Sequence, residues 1–404
     1  MDYIRFFLNN KRLISFGFIL TFFSSFGQTF LLSLYVPDLI EEFRLSNSSF
    51  GGLYAIATLA GSFVLVYVGK FIDNSDLRKY SIYSAITLFT ACIVLALSQN
   101  LVFVLIGFLG LRLAGQGLLS HISNTSISKH FDQTRGKALS LTTLGYSFGE
   151  GIFPIIVGII IGVVGWRYSM LINAFFVAVI LIPFIWFALA KYGVNNRQAA
   201  NEDNQSDRFS RVKLLKDENF YLIAVNSAVL PFLVTGLFFY QLVLAESKGW
   251  TLEIMSMSFI GFAFGRTVFA LISGKMIDRF SAVRLFPLYL IPFALGLVLL
   301  WSGNHPYFAM LYLFLTGVSV GLSSTIKTAV VAEIYGTNNL GGIRSVFTTL
   351  MVISTAFGPL LFGYLLDAGL DFSGIILFSL LFVLLASILT LRVGKNYQVN
   401  LKTE

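Results

Sequence analysis

Charge is scarce in this chain. Only 12% of its 404 residues are charged, whereas 56% are hydrophobic and the mean hydropathy is +0.80. A soluble domain carries about 25% charged residues to cover its surface, so a water-soluble globular protein is excluded. Most of the surface must face lipid. The abundance of Phe (42) and Gly (35) suits lipid-facing walls and close helix packing.

Cysteine, histidine and nucleotide-binding signals are scarce too. The single cysteine, Cys92, excludes a disulfide framework, and three scattered histidines predict no metal site. None of the four Gly-Lys pairs is followed by the Ser or Thr of a phosphate-binding loop. No nucleophile and base occur together in the apolar runs. We therefore expect no cofactor, no ATP hydrolysis and no enzyme activity.

Twelve apolar runs of about 20 residues, the length that spans a bilayer core, follow one another along the chain. They lie near 12–36, 50–70, 80–98, 101–126, 137–164, 168–190, 218–245, 252–275, 284–302, 307–331, 344–366 and 373–391. The sequence therefore predicts an all-α integral membrane protein with twelve transmembrane helices.

Basic residues are distributed unequally between the loops. If the N-terminus is inside, 22 of the 28 Lys and Arg residues lie on that side, 3 lie outside and 3 lie within the runs. This bias predicts a multi-pass protein of the cell (inner) membrane with both termini in the cytoplasm. The basic residues behind the net charge of +8 lie mostly in the predicted cytoplasmic loops and termini. The net charge therefore does not indicate a nucleic-acid partner.

The chain reads as a duplication. A polar stretch at 191–217 separates residues 1–190, a predicted six-helix bundle, from residues 218–404, a second bundle with a short cytoplasmic tail. Gly69-Lys70-Phe71-Ile72-Asp73 returns 205 residues later as Gly274-Lys275-Met276-Ile277-Asp278. A repeat at this spacing predicts two pseudo-symmetric six-helix bundles, an architecture typical of transporters.

With these motifs the chain resembles the major facilitator superfamily over essentially its full length, as a bacterial-type member. That family carries Gly-x-x-x-Asp and a basic pair after its second helix. Here the basic pair falls slightly late, and Asp76 replaces a usual second Gly. The resemblance implies secondary transport by alternating access and a cytoplasmic latch; the plain alternative is a tight turn with topology-setting charges. The latch candidates are Gly69, Asp73, Arg78, Gly274, Asp278 and Arg279.

Ionisable residues within the membrane runs are costly, so function is the default hypothesis for them. Arg266 has no acidic neighbour at helical spacing, which predicts contact with a substrate anion; the alternative is a structural Arg bonded to backbone carbonyls. Monocarboxylate-type members of the family also use an Arg in the eighth helix, about one turn displaced. Lys327 shares a helical face with Ser323 and Ser324, which predicts a place in the cavity unless it snorkels to the interface.

Four further candidates lie in the first half. Arg112 and Gln116 share one face of the fourth run, as substrate contacts or, for Arg112, as a buttress; in the family this Arg usually bonds to the first helix. Glu150 is the predicted proton carrier or a structural partner of Arg112. His121 is a second proton-coupling candidate, although nine steps of about 100° place it opposite Arg112, as a packing residue, unless Gly115 and Gly117 distort the helix.

The candidate charges suggest the substrate. Three cations against one carboxylate need a counter-ion in a low-dielectric cavity, which predicts transport of a small organic anion coupled to protons or counter-substrate. The alternatives are an exporter of amphipathic or cationic compounds, favoured by the Phe-rich interior, and a transport-dead receptor. We expect contact with membrane lipid, H⁺ as the coupling ion and a monomer.

Overall fold

The computed structural model of this protein describes residues 2–73, 75–131, 134–190, 214, 216–336 and 340–403. All regular secondary structure in these ranges is helical. The twelve principal helices are α1 (Asp2–Phe23), α2 (Asn47–Val68), α3 (Leu77–Ala96), α4 (Leu101–His130), α5 (Arg135–Val164), α6 (Trp166–Ala188), α7 (Glu218–Phe239), α8 (Leu252–Phe280), α9 (Ile291–Ser302), α10 (Pro306–Tyr335), α11 (Leu340–Asp367) and α12 (Phe372–Thr403). They correspond one to one with the predicted runs, which confirms the all-α membrane fold.

Ten of these helices are long and apolar enough to cross a membrane individually. The other two, α1 and α9, depart from simple spans. The first helix continues beyond a short 3₁₀ turn, Ser24–Gly27, into further helical segments that end at Glu42, with a bend of 45°. The predicted run 12–36 missed this break, which no proline marks.

The prediction for the ninth run placed its start too early. Instead of one helix over 284–302, a short helix at Ala282–Leu285 precedes a turn, and α9 begins at Ile291. Pro292 stands in the first turn of α9. A proline has no backbone N–H to donate, so it suits a helix start and not a helix interior.

The chain divides into two compact units, residues 1–45 with 52–201 and residues 46–51 with 202–404. In the first unit, α1 packs on α5 and α4, and α3 packs on α4 and α6. In the second, α8 packs on α10 and α7 on α11. Most of the predicted linker, 191–217, lies outside the described residues.

Glycine permits the closest helix approaches in both units. A Cβ on Gly27 would lie 2.1 Å from the Leu111 carbonyl oxygen of α4, and a Cβ on Gly317 would lie 2.2 Å from the Phe262 carbonyl oxygen of α8. Any side chain at these two positions would force the backbones apart. Close packing of this kind is how helices associate in lipid, where apolar surface alone does not drive them together.

Candidate functional site

Arg112 lies at the start of a π-helical stretch of α4, Arg112–Leu119, and is only 3% exposed. Its Nη1 donates to the Gly27 carbonyl at 2.9 Å, and its Nε donates to Thr58 Oγ1 of α2 at 3.1 Å. The guanidinium also lies 5.0 Å from the ring centre of Tyr54. Gly27 ends the 3₁₀ turn that breaks α1, where carbonyls lose their regular helical donors. The geometry therefore favours the buttress interpretation of Arg112.

Gln116 and His121 follow Arg112 on α4, and both are half-buried. The Nε2 atom of His121 lies 3.1 Å from the Gly69 carbonyl oxygen, within hydrogen-bond distance. The π-helical stretch contains Gly115 and Gly117, the two glycines at which the sequence predicts a distortion. His121 therefore contacts the first glycine of the Gly-x-x-x-Asp motif, which suits a packing role, and its part in proton coupling remains a prediction.

Glu150 is 5% exposed on α5. It follows Gly149, where a Cβ would lie 2.0 Å from Ser25 Oγ in the broken turn of α1. The carboxylate thus belongs to the buried face of a helix that packs closely on α1. A buried carboxylate at membrane depth can take up and release a proton, and its role as the proton carrier remains a prediction.

The first copy of the Gly-x-x-x-Asp motif forms a 3₁₀ turn, Gly69–Asp73, directly after α2. The side chain of Asp73 lies outside the described residues. Arg78 places its guanidinium 3.5 Å from the ring centre of Trp186, at the end of α6. Asp76 accepts a hydrogen bond from the Lys79 N–H at 2.9 Å and so caps α3.

The second copy has a different local structure. Gly274, Asp278 and Arg279 lie within the uninterrupted helix α8, and the last two are exposed. The carboxylate nearest the following turn comes from Glu333 of α10. It accepts from the Ala282 N–H at 2.7 Å and the Ser281 hydroxyl at 2.8 Å, and so caps the short helix after α8. No local pattern indicated this residue, because its partners lie about fifty positions away in the chain.

A cavity of about 280 Å³ lies within the second unit, between α7, α10 and α11. It is lined by Ser227, Ser323, Ser324, Lys327, Thr328, Val331, Arg344, Phe347, Thr348 and Met351. Two of these ten residues are cationic and none is acidic. Five carry hydroxyl groups, and Val331, Phe347 and Met351 supply an apolar side.

Lys327 donates its Nζ hydrogen to the Ser227 carbonyl of α7 at 2.8 Å. That carbonyl is available because Pro231, four residues later in α7, has no N–H to donate to it. The same ammonium lies 5.6 Å from the ring centre of Tyr289, whose hydroxyl donates to the Asn226 carbonyl at 2.9 Å. The ammonium of Lys327 thus binds at the cavity wall to a carbonyl that lacks its helical donor. This position favours a place in the cavity over snorkelling to the interface.

The two units share one kind of hydrogen bond between helices. In each, a cation on the fourth helix of the unit bonds a backbone carbonyl on its first helix: Arg112 binds Gly27 and Lys327 binds Ser227. In both cases the carbonyl lacks its regular helical donor, at the break of α1 for Gly27 and opposite Pro231 in the continuous helix α7 for Ser227. Neither pairing follows from hydropathy, although Pro231 is a sequence signal that could have indicated Ser227.

Arg266 is half-buried on α8, where this helix packs against α10. A Cβ on Gly321 of α10 would lie 2.4 Å from the Arg266 carbonyl oxygen. Arg266 does not belong to the lining of the cavity, whose charge comes from Lys327 and Arg344. Contact between Arg266 and substrate remains a prediction, whereas Arg344, which the sequence placed only among the cytoplasmic charges, joins the candidate site.

Comparison with known proteins agrees with this architecture. The family model of the Major Facilitator Superfamily matches residues 17–261 and 232–402. A hexuronate transporter of Bacillus subtilis (strain 168) is 25% identical over 403 residues, covering 89% of each chain. The MFS transporter asaE of Aspergillus flavus is 26% identical over 264 residues, covering 63% of this chain and 57% of its own.

Solved structures show the same fold. A bacterial homologue of the human lysosomal transporter Spinster, crystallised in an inward-facing and occupied conformation, superposes with a TM-score of 0.72, 14% identity and coverage of 98% of this chain and 97% of its own. The nucleoside transporter NupG superposes with a TM-score of 0.74, 13% identity and coverage of 94% and 98%. The chain therefore belongs to the Major Facilitator Superfamily and is a secondary transporter, not an enzyme.

Proposed function

We propose that this transporter moves a small hydroxylated organic anion by alternating access, coupled to protons or to a counter-substrate. The observation that carries the proposal is the cavity of the second unit, where Lys327 and Arg344 supply charge and none of the described lining residues is acidic. A site with this charge attracts anions and repels cations.

The contacts of Lys327 support an anionic ligand. Its ammonium bonds the Ser227 carbonyl, which is a dipole and does not neutralise a full positive charge. A desolvated charge is stabilised well only when an opposite charge and further hydrogen bonds accompany it. A carboxylate in the cavity supplies both, and Arg344 can bind it with two parallel hydrogen bonds.

The hydroxyl groups of α10 favour a ligand that carries hydroxyls of its own. Ser323 donates to the Val320 carbonyl at 2.8 Å, and Ser324 donates to the Gly321 carbonyl at 2.6 Å. Because these hydrogens are already donated within the helix, the Ser oxygens offer lone pairs that accept from ligand hydroxyls. Hexuronates are hydroxylated carboxylates, so the 25% identity with a hexuronate transporter supports the same class of substrate.

Coupling and orientation complete the proposal. Glu150 is the proposed proton carrier, since its carboxylate is buried and it follows Gly149, which packs against the broken turn of α1. His121 is a second candidate for proton coupling. The proposed location is the inner membrane with both termini in the cytoplasm, which the distribution of basic residues supports. The proposed oligomeric state is a monomer.

One observation favours export of amphipathic or cationic compounds instead. Aromatic rings of α1, the turn after it and α5 cluster in the first unit, with Phe22 and Phe153 at 4.4 Å between ring centres and Phe26 and Phe153 at 4.7 Å. Aromatic faces bind cations and apolar bodies. This alternative predicts that ligands are lipophilic cations.

Thermal unfolding of the purified protein distinguishes the two functions. A ligand that binds only the folded state raises the melting temperature by mass action. We expect hydroxylated carboxylates to raise it, and the same carboxylates to lose this effect in Lys327→Met. Stabilisation by lipophilic cations, with no response to organic anions, would place the exporter function first.

A further inference from the structure

The N-terminal segment before Arg12, residues 3–11, has a surface that the transport cycle does not explain. Four large apolar side chains in it are exposed: Tyr3 by 49%, Ile4 by 69%, Phe7 by 37% and Leu8 by 60%. Exposed apolar residues are ordinary where a helix crosses lipid, but these four precede the predicted start of the first membrane span.

The contacts of Arg12 show that the last turn of α6 lies next to the C-terminal end of this segment. Arg12 donates to the carbonyls of Phe187 and Ala188 at 2.6 Å each, and these carbonyls belong to the last turn of α6. The backbone leaves helical geometry at Asn10, where φ is −121° and ψ is 20°. Residues 3–9 are therefore a separate helical arm that extends beyond the end of α6.

The arm is amphipathic. At about 100° per residue, the four exposed apolar side chains fall within an arc of about 140°. Arg5 and Asn9 lie on the opposite side and are exposed as well. A third direction is occupied by Phe6, whose ring packs edge-on against Phe131 after α4, with 5.4 Å between ring centres. The protein thus fixes the rotation of the arm and leaves its apolar stripe uncovered.

We propose that this stripe inserts into the headgroup region of the cytoplasmic leaflet and that the arm binds anionic lipid. Apolar residues on one face with basic residues beside them are the composition of helices that lie in the membrane interface. Arg5, on the polar side of the arm, and Lys11, beyond the C-terminal end of the stripe, are both exposed, so their long side chains can reach phosphate groups of lipid. The linker at 191–217, which follows α6 in the chain, is rich in Asn, Asp and Gln, so its composition does not suit an apolar face.

The bound arm would anchor the start of α1 at the membrane surface. The N-terminal end of α1 contacts the first unit at two places, through Arg12 and through Phe6. The other end of α1 leads into the turn Ser24–Gly27, to which Arg112 donates a hydrogen bond. The proposal concerns lipid binding alone, and it stands whether or not the substrate is an organic anion.

Spin labels on single cysteines test the proposal in the full-length protein. The chain's one cysteine, Cys92, is buried, so Cys92→Ala provides the background for Ile4→Cys, Leu8→Cys and Asn9→Cys in lipid nanodiscs. We expect labels at positions 4 and 8 to collide more often with oxygen, which partitions into lipid, than with a water-soluble nickel chelate. The label at position 9, on the polar side, should show the opposite preference and serves as the matched control.

Lipid charge provides a second readout. In nanodiscs of phosphatidylcholine with added phosphatidylglycerol, the label at position 8 should be deeper and less mobile than in phosphatidylcholine alone. The combined Arg5→Gln and Lys11→Gln variant should lose this difference. Equal exposure of positions 4, 8 and 9 to the nickel chelate would overturn the proposal. So would protection of positions 4 and 8 from both reagents, because a second copy or another part of the protein would then cover the stripe.

Discussion

Replacing Lys327 with Met removes the ammonium and keeps an unbranched side chain of similar length. Truncating one partner of a desolvated, hydrogen-bonded charge pair costs about 2–5 kcal/mol. Lys327 is half-buried, so we expect the lower part of this range, about 2–3 kcal/mol. At about 1.4 kcal/mol per tenfold change, the affinity for a hydroxylated carboxylate should fall about 30- to 150-fold. Isothermal titration of the purified protein measures this.

Lys327→Met should also lower the thermal stability of the protein, because it affects the Ser227 carbonyl. Without Lys327, the Ser227 carbonyl loses its donor at 2.8 Å, and Pro231 cannot replace it. An unsatisfied buried carbonyl costs about 1–3 kcal/mol. Pro231→Ala supplies an N–H four residues after Ser227, so the double variant should recover part of the lost thermal stability. Its affinity for the anion should nevertheless stay low, because the charge is still missing.

The wild type, Lys327→Met, Pro231→Ala and the double variant form a double-mutant cycle. The cycle separates the effect of the lysine charge on affinity from the effect of the backbone hydrogen bond on stability. Lys275→Met is the matched control, since it removes an exposed lysine from α8, away from the cavity lining, and should leave affinity unchanged. Wild-type affinity in a folded Lys327→Met protein would refute the role of Lys327 in the site. Recovery of affinity in the double variant would show that the loss arose from the helix backbone and not from the charge.

Four other outcomes are expected. Arg112→Lys should lower the unfolding free energy by about 1–3 kcal/mol, because one of its two cross-helix bonds is lost, and should leave anion affinity unchanged in titration. Glu150→Gln should abolish proton-driven accumulation in vesicles but retain substrate exchange; loss of both would make Glu150 structural or substrate-binding. Arg266→Ala should weaken anion binding and Arg266→Lys should retain part of it, whereas a structural Arg266 would change only the melting temperature. Reporters fused after Lys402 and within 191–217 should both be cytoplasmic, and an external signal from either would overturn the orientation.

Hydropathy was enough to predict the helices of this protein, because lipid requires long apolar segments with internally satisfied backbones. It could not predict where those helices break. The turn at Ser24–Gly27 contains no proline, and its Gly27 carbonyl is satisfied by Arg112, which lies 85 positions away. An interruption that depends on a distant side chain leaves no local pattern in the sequence.

The candidate site was predictable in part for the same reason. Lys327 stood out because a lysine within an apolar run is costly, but its neighbours depend on the packing of three helices. Arg344 counted only as one more cytoplasmic charge until α11 placed it in the lining of the same cavity as Lys327. Arg266 stood out equally, and its helix packs on α10 outside the cavity lining. Charge alone therefore identified candidates without indicating which of them share a cavity.

Exchange across a vesicle membrane tests the central claim most directly. Purified protein is reconstituted into liposomes loaded with one unlabelled hydroxylated carboxylate, and uptake of the same labelled compound is followed without a proton gradient. We predict rapid uptake by the wild-type protein, slower uptake by Lys327→Met at equal protein content and none by empty liposomes. Uptake of a lipophilic cation under the same conditions, with no exchange of any organic anion, would contradict the account.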